Sequence, residues 1–132
     1  ISHLKAVSIG RLVPDTEPVY WFMRFHVDET MLTVDKAQFA KAVGAEGIPV
    51  SVSYRHIPSE AIWFRERKVF GNSDYPWGMP EYQGDRHATF PCPNAVEAAE
   101  THFTMSIHEK LGAQEADDVA RAIEKVESAY LK

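Results

Sequence analysis

Residues 90–132 constrain the fold more than any other stretch of this chain. Pro91 and Pro93 interrupt whatever precedes them, and proline fits the first turn of a helix. A short helix is therefore predicted from Pro93 or Asn94 to Thr101. His102, Thr104, Ser106 and His108 then alternate with Phe103, Met105 and Ile107, the two-residue period of a half-buried strand. A polar break follows at residues 109–113. Beyond it Ala116, Val119, Ile123, Val126 and Tyr130 fall on one helical face, which puts Asp117, Asp118, Arg121, Glu124, Lys125 and Glu127 mostly on the opposite, solvated one. Helix, strand, loop and long terminal helix make a tail that can close a layered domain.

Upstream, residues 19–27 read as the strongest strand, rich in aromatic and branched side chains. Val19, Trp21, Met23, Phe25 and Val27 form one face, and Tyr20, Phe22, Arg24 and His26 the other. A strand apolar on both sides for half its length belongs in the middle of a sheet. Asp35, or alternatively Thr33, caps a helix whose core face is Phe39, Ala40 and Val43, and Gly47 supplies its left-handed stop. Residues 48–54 are a second strand. Pro49 has no amide hydrogen to donate, so this strand starts at an edge or at its first residue. Ser51, Ser53, Thr104 and Ser106 then give two strands a small hydroxyl side opposite Val50, Val52, Met105 and Ile107, and helices are expected over the apolar side.

Residues 59–64 suit a short helix. Residues 65–91 are the least regular, with three of the eight prolines and three of the seven glycines set among aromatics. Residues 1–18 show no firm period and are broken at Pro14 and Pro18. They are expected to be an interdomain segment or linker, leaving 19–132 as the domain. The fold class expected is α+β: a small, mainly antiparallel sheet of three or four strands with helices on one face.

At 132 residues the chain can bury a real core as one domain. Its formal charge of −5 argues against an electrostatic grip on nucleic-acid phosphates. No run reaches the apolar length of a membrane span and no signal-peptide pattern opens the chain. A single cysteine, Cys92, cannot form an internal disulfide and suits the cytoplasm. The first residue is Ile1 rather than Met, so an excised fragment is expected.

Histidine occurs at 3, 26, 56, 87, 102 and 108, without a metal-binding HExxH or a cysteine pair. His102 and His108 share a predicted strand face but stand about 20 Å apart at normal strand rise, too far to bind one ion. Of the lysines, Lys36, Lys41 and Lys125 lie on helix faces expected to be exposed, Lys132 is terminal and Lys68 sits among charges; Lys5 and Lys110 have no assignment. Tyr54, Arg55 and His56 end the second strand, where side chains leave a sheet and can face a cleft. Arg55 suits a phosphate or carboxylate there, or else is a solvated arginine on a surface turn. His108 ends the third strand in the same manner, and a common cleft bordered by these four residues is expected. Trp77 lines a ligand or pins down its own loop.

Taken in order, these motifs resemble the pyridoxal-phosphate sugar aminotransferases of the DegT/StrS type. Members of that family end with a proline-started helix, a strand running into a histidine-containing turn, and an acidic helix start. Here the turn is Met105-Ser106-Ile107-His108-Glu109-Lys110-Leu111, which keeps the histidine and lacks the prolines. Val34-Asp35-Lys36-Ala37-Gln38-Phe39 through Glu46-Gly47-Ile48-Pro49-Val50 resembles the helix, Gly-Ile turn and strand of the family's small domain. Val52-Ser53-Tyr54-Arg55-His56-Ile57-Pro58 stands where the family often has Tyr-Pro-Pro and a nearby histidine, and Pro76-Trp77-Gly78-Met79-Pro80 and Cys92-Pro93-Asn94-Ala95 are similar to one branch of it.

The resemblance covers residues 19–131. It implies the small C-terminal domain of a fold-type I enzyme that aminates a keto group on a nucleotide-linked sugar with an amino-acid donor. It further implies that the lysine holding pyridoxal phosphate belongs to a large N-terminal domain, so that no cofactor is expected in this chain alone, and that the intact enzyme is a homodimer. Tyr54, Arg55, His56, His108 and Trp77 become candidate substrate contacts, with no catalytic residue and neither nucleic-acid nor membrane partners. The competing class is a self-standing small-molecule-binding or regulatory α/β module, and a weaker option is a structural dimerisation domain.

Overall fold

The computed structural model describes all residues, Ile1–Lys132. Four strands, β1 (Val7–Ile9), β2 (Phe22–Val27), β3 (Val50–Ser51) and β4 (His102–Ser106), form one antiparallel sheet in the order β1-β2-β4-β3. The helices are α1 (Lys36–Ala45), α2 (Ile62–Arg65), α3 (Pro93–Thr101) and α4 (Ala113–Tyr130). The chain divides into two units. One comprises Ile1–Tyr54 and Ala98–Lys132 and holds the whole sheet; the other is Arg55–Glu97. No helix is long and apolar enough to cross a membrane.

The expected α+β class holds in the sheet unit, and the register explains how it packs. Phe25 pairs with Phe103 and Met23 with Met105 across β2 and β4, while Val50 pairs with Met105 across β3 and β4. Strand side chains alternate between faces, so Val7, Met23, Phe25, Val27, Val50, Phe103 and Met105 share one side. There they join Phe39, Ala40 and Val43 of α1 and Ile123 and Val126 of α4 in one core. The Phe25 and Phe103 rings stack with centroids 4.9 Å apart, and Phe39 meets Phe103 at 6.1 Å. Full burial of a side chain such as Phe103, Phe39 or Ile123 contributes about 1.5–3 kcal/mol. The predicted register is therefore the observed one, with Met105 buried and Ser106 exposed.

Helix signals act as read. Asp35 caps α1, its Oδ1 accepting the Gln38 N–H at 2.7 Å, and Gly47 follows the helix with φ 92°. At the start of α4 the Gly112 N–H donates to Glu115 Oε2 at 2.8 Å. The end of α4 is tied back to the segment after β2. The Thr33 N–H donates to the Tyr130 carbonyl at 2.8 Å, and the Lys132 N–H to the Met31 carbonyl at 3.0 Å.

Several expectations need correction. Residues 1–18 are not merely a linker: Val7–Ile9 is the edge strand β1, and Ala6 and Val7 are buried in the core. Three strand residues offer too short a pattern to register as a period. β2 starts at Phe22 rather than 19, leaving Val19 and Trp21 exposed. Its partner β4 runs out there, the Ile107 N–H making the last bond to the Trp21 carbonyl at 2.8 Å. β3 is an edge strand as Pro49 requires, but only two residues long. Lys36 and Glu127, expected on solvated helix faces, are 8% and 5% exposed. The Lys36 ammonium donates to the Val52 carbonyl at 2.8 Å. The Glu127 carboxylate accepts from the N–H groups of Lys5, Ala6 and Val7 at 2.9, 2.9 and 3.1 Å.

Candidate functional site

The face of the sheet opposite the core carries the chemistry. Register puts Phe22 opposite Ser106, Arg24 opposite Thr104, and His26 opposite His102, with Ser8 beside His26 and Ser51 beside Thr104. All eight side chains therefore project to one side. The His26 and His102 rings meet edge to face with centroids 5.1 Å apart. Two residues along β2, the Arg24 guanidinium lies 5.4 Å from the Phe22 ring centroid and 5.9 Å from that of Tyr54. The Phe22 and Tyr54 rings are themselves 5.0 Å apart, and Trp21 adds a third ring 6.1 Å from Phe22. Rings at these distances present negative faces to the cation and restrict where it points. Arg24 is exposed, and it pairs with no carboxylate.

Electrostatics on this face are set by cations. The His102 imidazole is held below its ordinary 6.5, first by burial and then by the charge of His26, with smaller contributions from Arg24 and Lys36, while the hydrogen bond it donates to the Ala98 carbonyl opposes the shift. Its Nδ1 lies 2.9 Å from Thr101 Oγ1. Asp28 acts on His26 electrostatically, yet its Oδ1 is engaged by the Thr30 N–H at 3.0 Å and hydroxyl at 2.6 Å. Those bonds hold the Asp28 carboxyl below the usual carboxylate range. No group of three or more histidine, cysteine, aspartate or glutamate side chains has the geometry to hold a metal ion.

The candidate residues read from the sequence belong to both units. Tyr54 stands over the polar face, as described. His108 lies beyond the far end of β4. Because β3 and β4 are antiparallel, with Val50 opposite Met105 and Ser51 opposite Thr104, their C-terminal ends point in opposite directions. β3 stops at Ser51, however, and Tyr54 returns to Phe22, the partner of Ser106, so strand direction alone does not separate Tyr54 from His108. His108 Nδ1 accepts the Lys110 N–H at 3.3 Å within its own turn.

Arg55, His56 and Trp77 fall in the second unit. Arg55 makes a two-bond pair with Glu60, Nε to Oε2 at 3.0 Å and Nη2 to Oε1 at 2.8 Å, and His56 is exposed. Trp77 packs edge to face on Phe64 at 5.8 Å, which favours the loop-pinning role. Arg67 organises the same cluster, with its guanidinium 4.3 Å from the Phe64 centroid and 5.2 Å from that of Trp77. It also donates to the carbonyls of Phe64, Arg86 and Ala88 at 2.7, 3.0 and 2.5 Å. One arginine thus ties an irregular 30-residue-scale loop to a single helical turn, a role that no spacing in the sequence announces.

No spacing in the sequence joins Arg24, His26 and His102 into one site. A signal existed: Arg24 and His26 alternate with Met23, Phe25 and Val27, and His102 opens the next central strand. Only the pairing of β2 with β4 brings the two histidines together. Neither a protein-family model nor a curated protein matches the chain.

Proposed function

We propose that this chain is the small C-terminal domain of a pyridoxal-phosphate-dependent aminotransferase that aminates a keto group on a nucleotide-linked sugar, with an amino acid as nitrogen donor. One observation carries the reading furthest. α1 and α4 pack on the apolar face of the sheet, while its other face carries Arg24, His26, His102 and the ring of Phe22, with that of Tyr54 beside them. A small domain that closes over a ligand held elsewhere needs such a face, and the order of motifs from residue 19 to 131 supports the same family.

The residues of this chain do not themselves fit the cofactor. Lys36 is the one buried lysine, and it commits its ammonium to the Val52 carbonyl, so it offers no free amine to an aldehyde. The sequence has no glycine-rich or serine-rich loop leading into a helix as a phosphate cradle. In this reading pyridoxal phosphate is held by the large domain, in a homodimeric enzyme, and the chain's own residues bind and orient substrate. A second reading, a self-standing module that binds a small anion, is favoured by the same unpaired Arg24.

The test adds pyridoxal phosphate to the purified chain, reduces with borohydride and maps labelled lysines by mass spectrometry. Amino transfer to a keto sugar nucleotide is measured for the chain alone and fused behind the large domain of a sugar aminotransferase. The reading expects scattered substoichiometric labelling of the chain alone and activity only in the fusion. One lysine labelled stoichiometrically, with activity in the chain alone, would make it a complete small enzyme. An inactive fusion with an intact cofactor site favours the binding module.

A further inference from the structure

We propose that Arg24, His26 and His102 form a phosphate subsite on the polar face of the sheet, flanked by Phe22 and Tyr54 as a shelf for a flat ring, so that the ligand class is a nucleotide bearing a terminal or bridging phosphate. The anion site stands on this face alone. The choice of a nucleotide as its carrier rests on the functional reading above.

Three observations converge. First, one unpaired arginine stands beside two imidazoles where the chain as a whole is acidic. The formal net charge is −5, yet Arg24, His26 and His102 share this face with no carboxylate bonded to their side chains. Such a grouping is unfavourable in isolation, and an anion among the side chains reverses its sign. Second, the donors are disposed around a volume rather than along a line. Arg24 and His26 are two apart on one strand, roughly 7 Å between Cα atoms, and His102 faces His26 from the next strand. Donors from two neighbouring strands can address separate oxygens of one phosphate, and the arginine fork supplies two parallel bonds.

Third, the aromatic neighbours are placed to add ring recognition beside the anion. Arg24 lies against both Phe22 and Tyr54, so a ligand phosphate held by the guanidinium brings an attached ring to the same two faces. Tyr54 is 41% exposed, which leaves ring surface for stacking. The same grouping argues against a cation ligand, since Arg24 repels one and the nearby Asp28 is occupied by Thr30.

The experiment follows histidine ring signals by NMR in the intact 132-residue chain while adding inorganic phosphate, uridine or uridine 5′-diphosphate. The diphosphate is expected to bind roughly tenfold or more tightly than either inorganic phosphate or uridine, since charge-assisted bonds and stacking each add about that factor. Shifts should be confined to His26 and His102, and the titration midpoint of His102 should rise on binding. Arg24 is exposed, so Arg24→Gln should fold normally, which its circular dichroism checks, and should lose about tenfold or more for phosphate and diphosphate alike. Tyr54→Leu should remove the advantage of the nucleotide and leave inorganic phosphate unchanged. Equal shifts at His3, His87 and the other histidines, or diphosphate affinity that survives Arg24→Gln, would overturn the subsite. Diphosphate binding beside a fusion inactive in amino transfer would keep the subsite and discard the aminotransferase. Diphosphate that fails to bind, beside an active fusion, would do the reverse.

Discussion

Replacing Glu127 with alanine should strip the first strand from the sheet. Glu127 sits on α4, 5% exposed, and its carboxylate accepts three backbone N–H groups at the entry to β1. Ala6 and Val7 are each 2% exposed, so their donors have no water to turn to. A buried donor left without a partner costs about 1–3 kcal/mol, and two of them give about 2–6 kcal/mol, with the Lys5 donor able to reach solvent. That is a large part of the roughly 5–15 kcal/mol by which a domain of this size is stable. The expected result for Glu127→Ala is a loss of at least about 2 kcal/mol in urea unfolding, with hydrogen exchange accelerating first at Ala6, Val7 and their β2 partners. Glu127→Gln keeps one acceptor oxygen and should fall between. Glu124→Ala, whose carboxylate meets only exposed His3 at 3.3 Å, is the control and should be nearly neutral. If Glu127→Ala cost under 1 kcal/mol and the Ala6 and Val7 amides kept their protection, the carboxylate would not be holding β1.

Three further outcomes follow from the same geometry. His102 titrates below its ordinary 6.5 in the folded chain, so on acidification through 6.5 the unfolded chain takes up the proton first and stability is lost; above that pH the group contributes nothing. Urea midpoints at pH 7.5 and 5.5 should therefore differ more in the native chain than in His102→Gln, and an identical pH dependence would refute the assignment. Gly47→Ala should cost about 1–2 kcal/mol in thermal or urea unfolding, because φ is 92° there and the new Cβ meets nothing within 4 Å, leaving backbone strain as the whole effect. Arg67→Ala should abolish the near-ultraviolet dichroism of Trp77 and speed proteolysis within Arg55–Glu97 while leaving exchange in β2 and β4 unchanged, since its ring and carbonyl contacts all lie in that unit.

Local patterning was enough to reveal the skeleton of the sheet unit. The alternation from His102 to Ser106, the proline start of α3, the Asp35 cap, the Gly47 stop and the Ile123 and Val126 face of α4 are all short-range effects, set by backbone geometry and by which side chains leave water. Those features also dictated the antiparallel α+β class and the side of the sheet that the helices cover. β1 escaped notice because three residues cannot display a period, and its place depends on bonds to Glu127 more than 120 positions away.

The candidate site divides the same way. Residue types at Tyr54, Arg55 and His108 suggested a cleft, but whether strand ends meet is a property of topology. The antiparallel pairing of β3 with β4 lasts only through Ser51, and the chain beyond it brings the Tyr54 ring to Phe22, which pairs with Ser106. That same pairing principle, acting between β2 and β4, set His26 against His102 and left Arg24 between two aromatic rings. Sequence by itself determined which side chains are apolar, where helices start and stop, and which way each strand faces, because these depend on neighbours a few bonds away. Tertiary structure alone decided that Lys36 and Glu127 are buried and which cations share a face. Those outcomes depend on groups brought close only by the folded chain: the Val52 carbonyl that accepts a hydrogen bond from the lysine, and the amides at the entry to β1 that the carboxylate of the last helix accepts from.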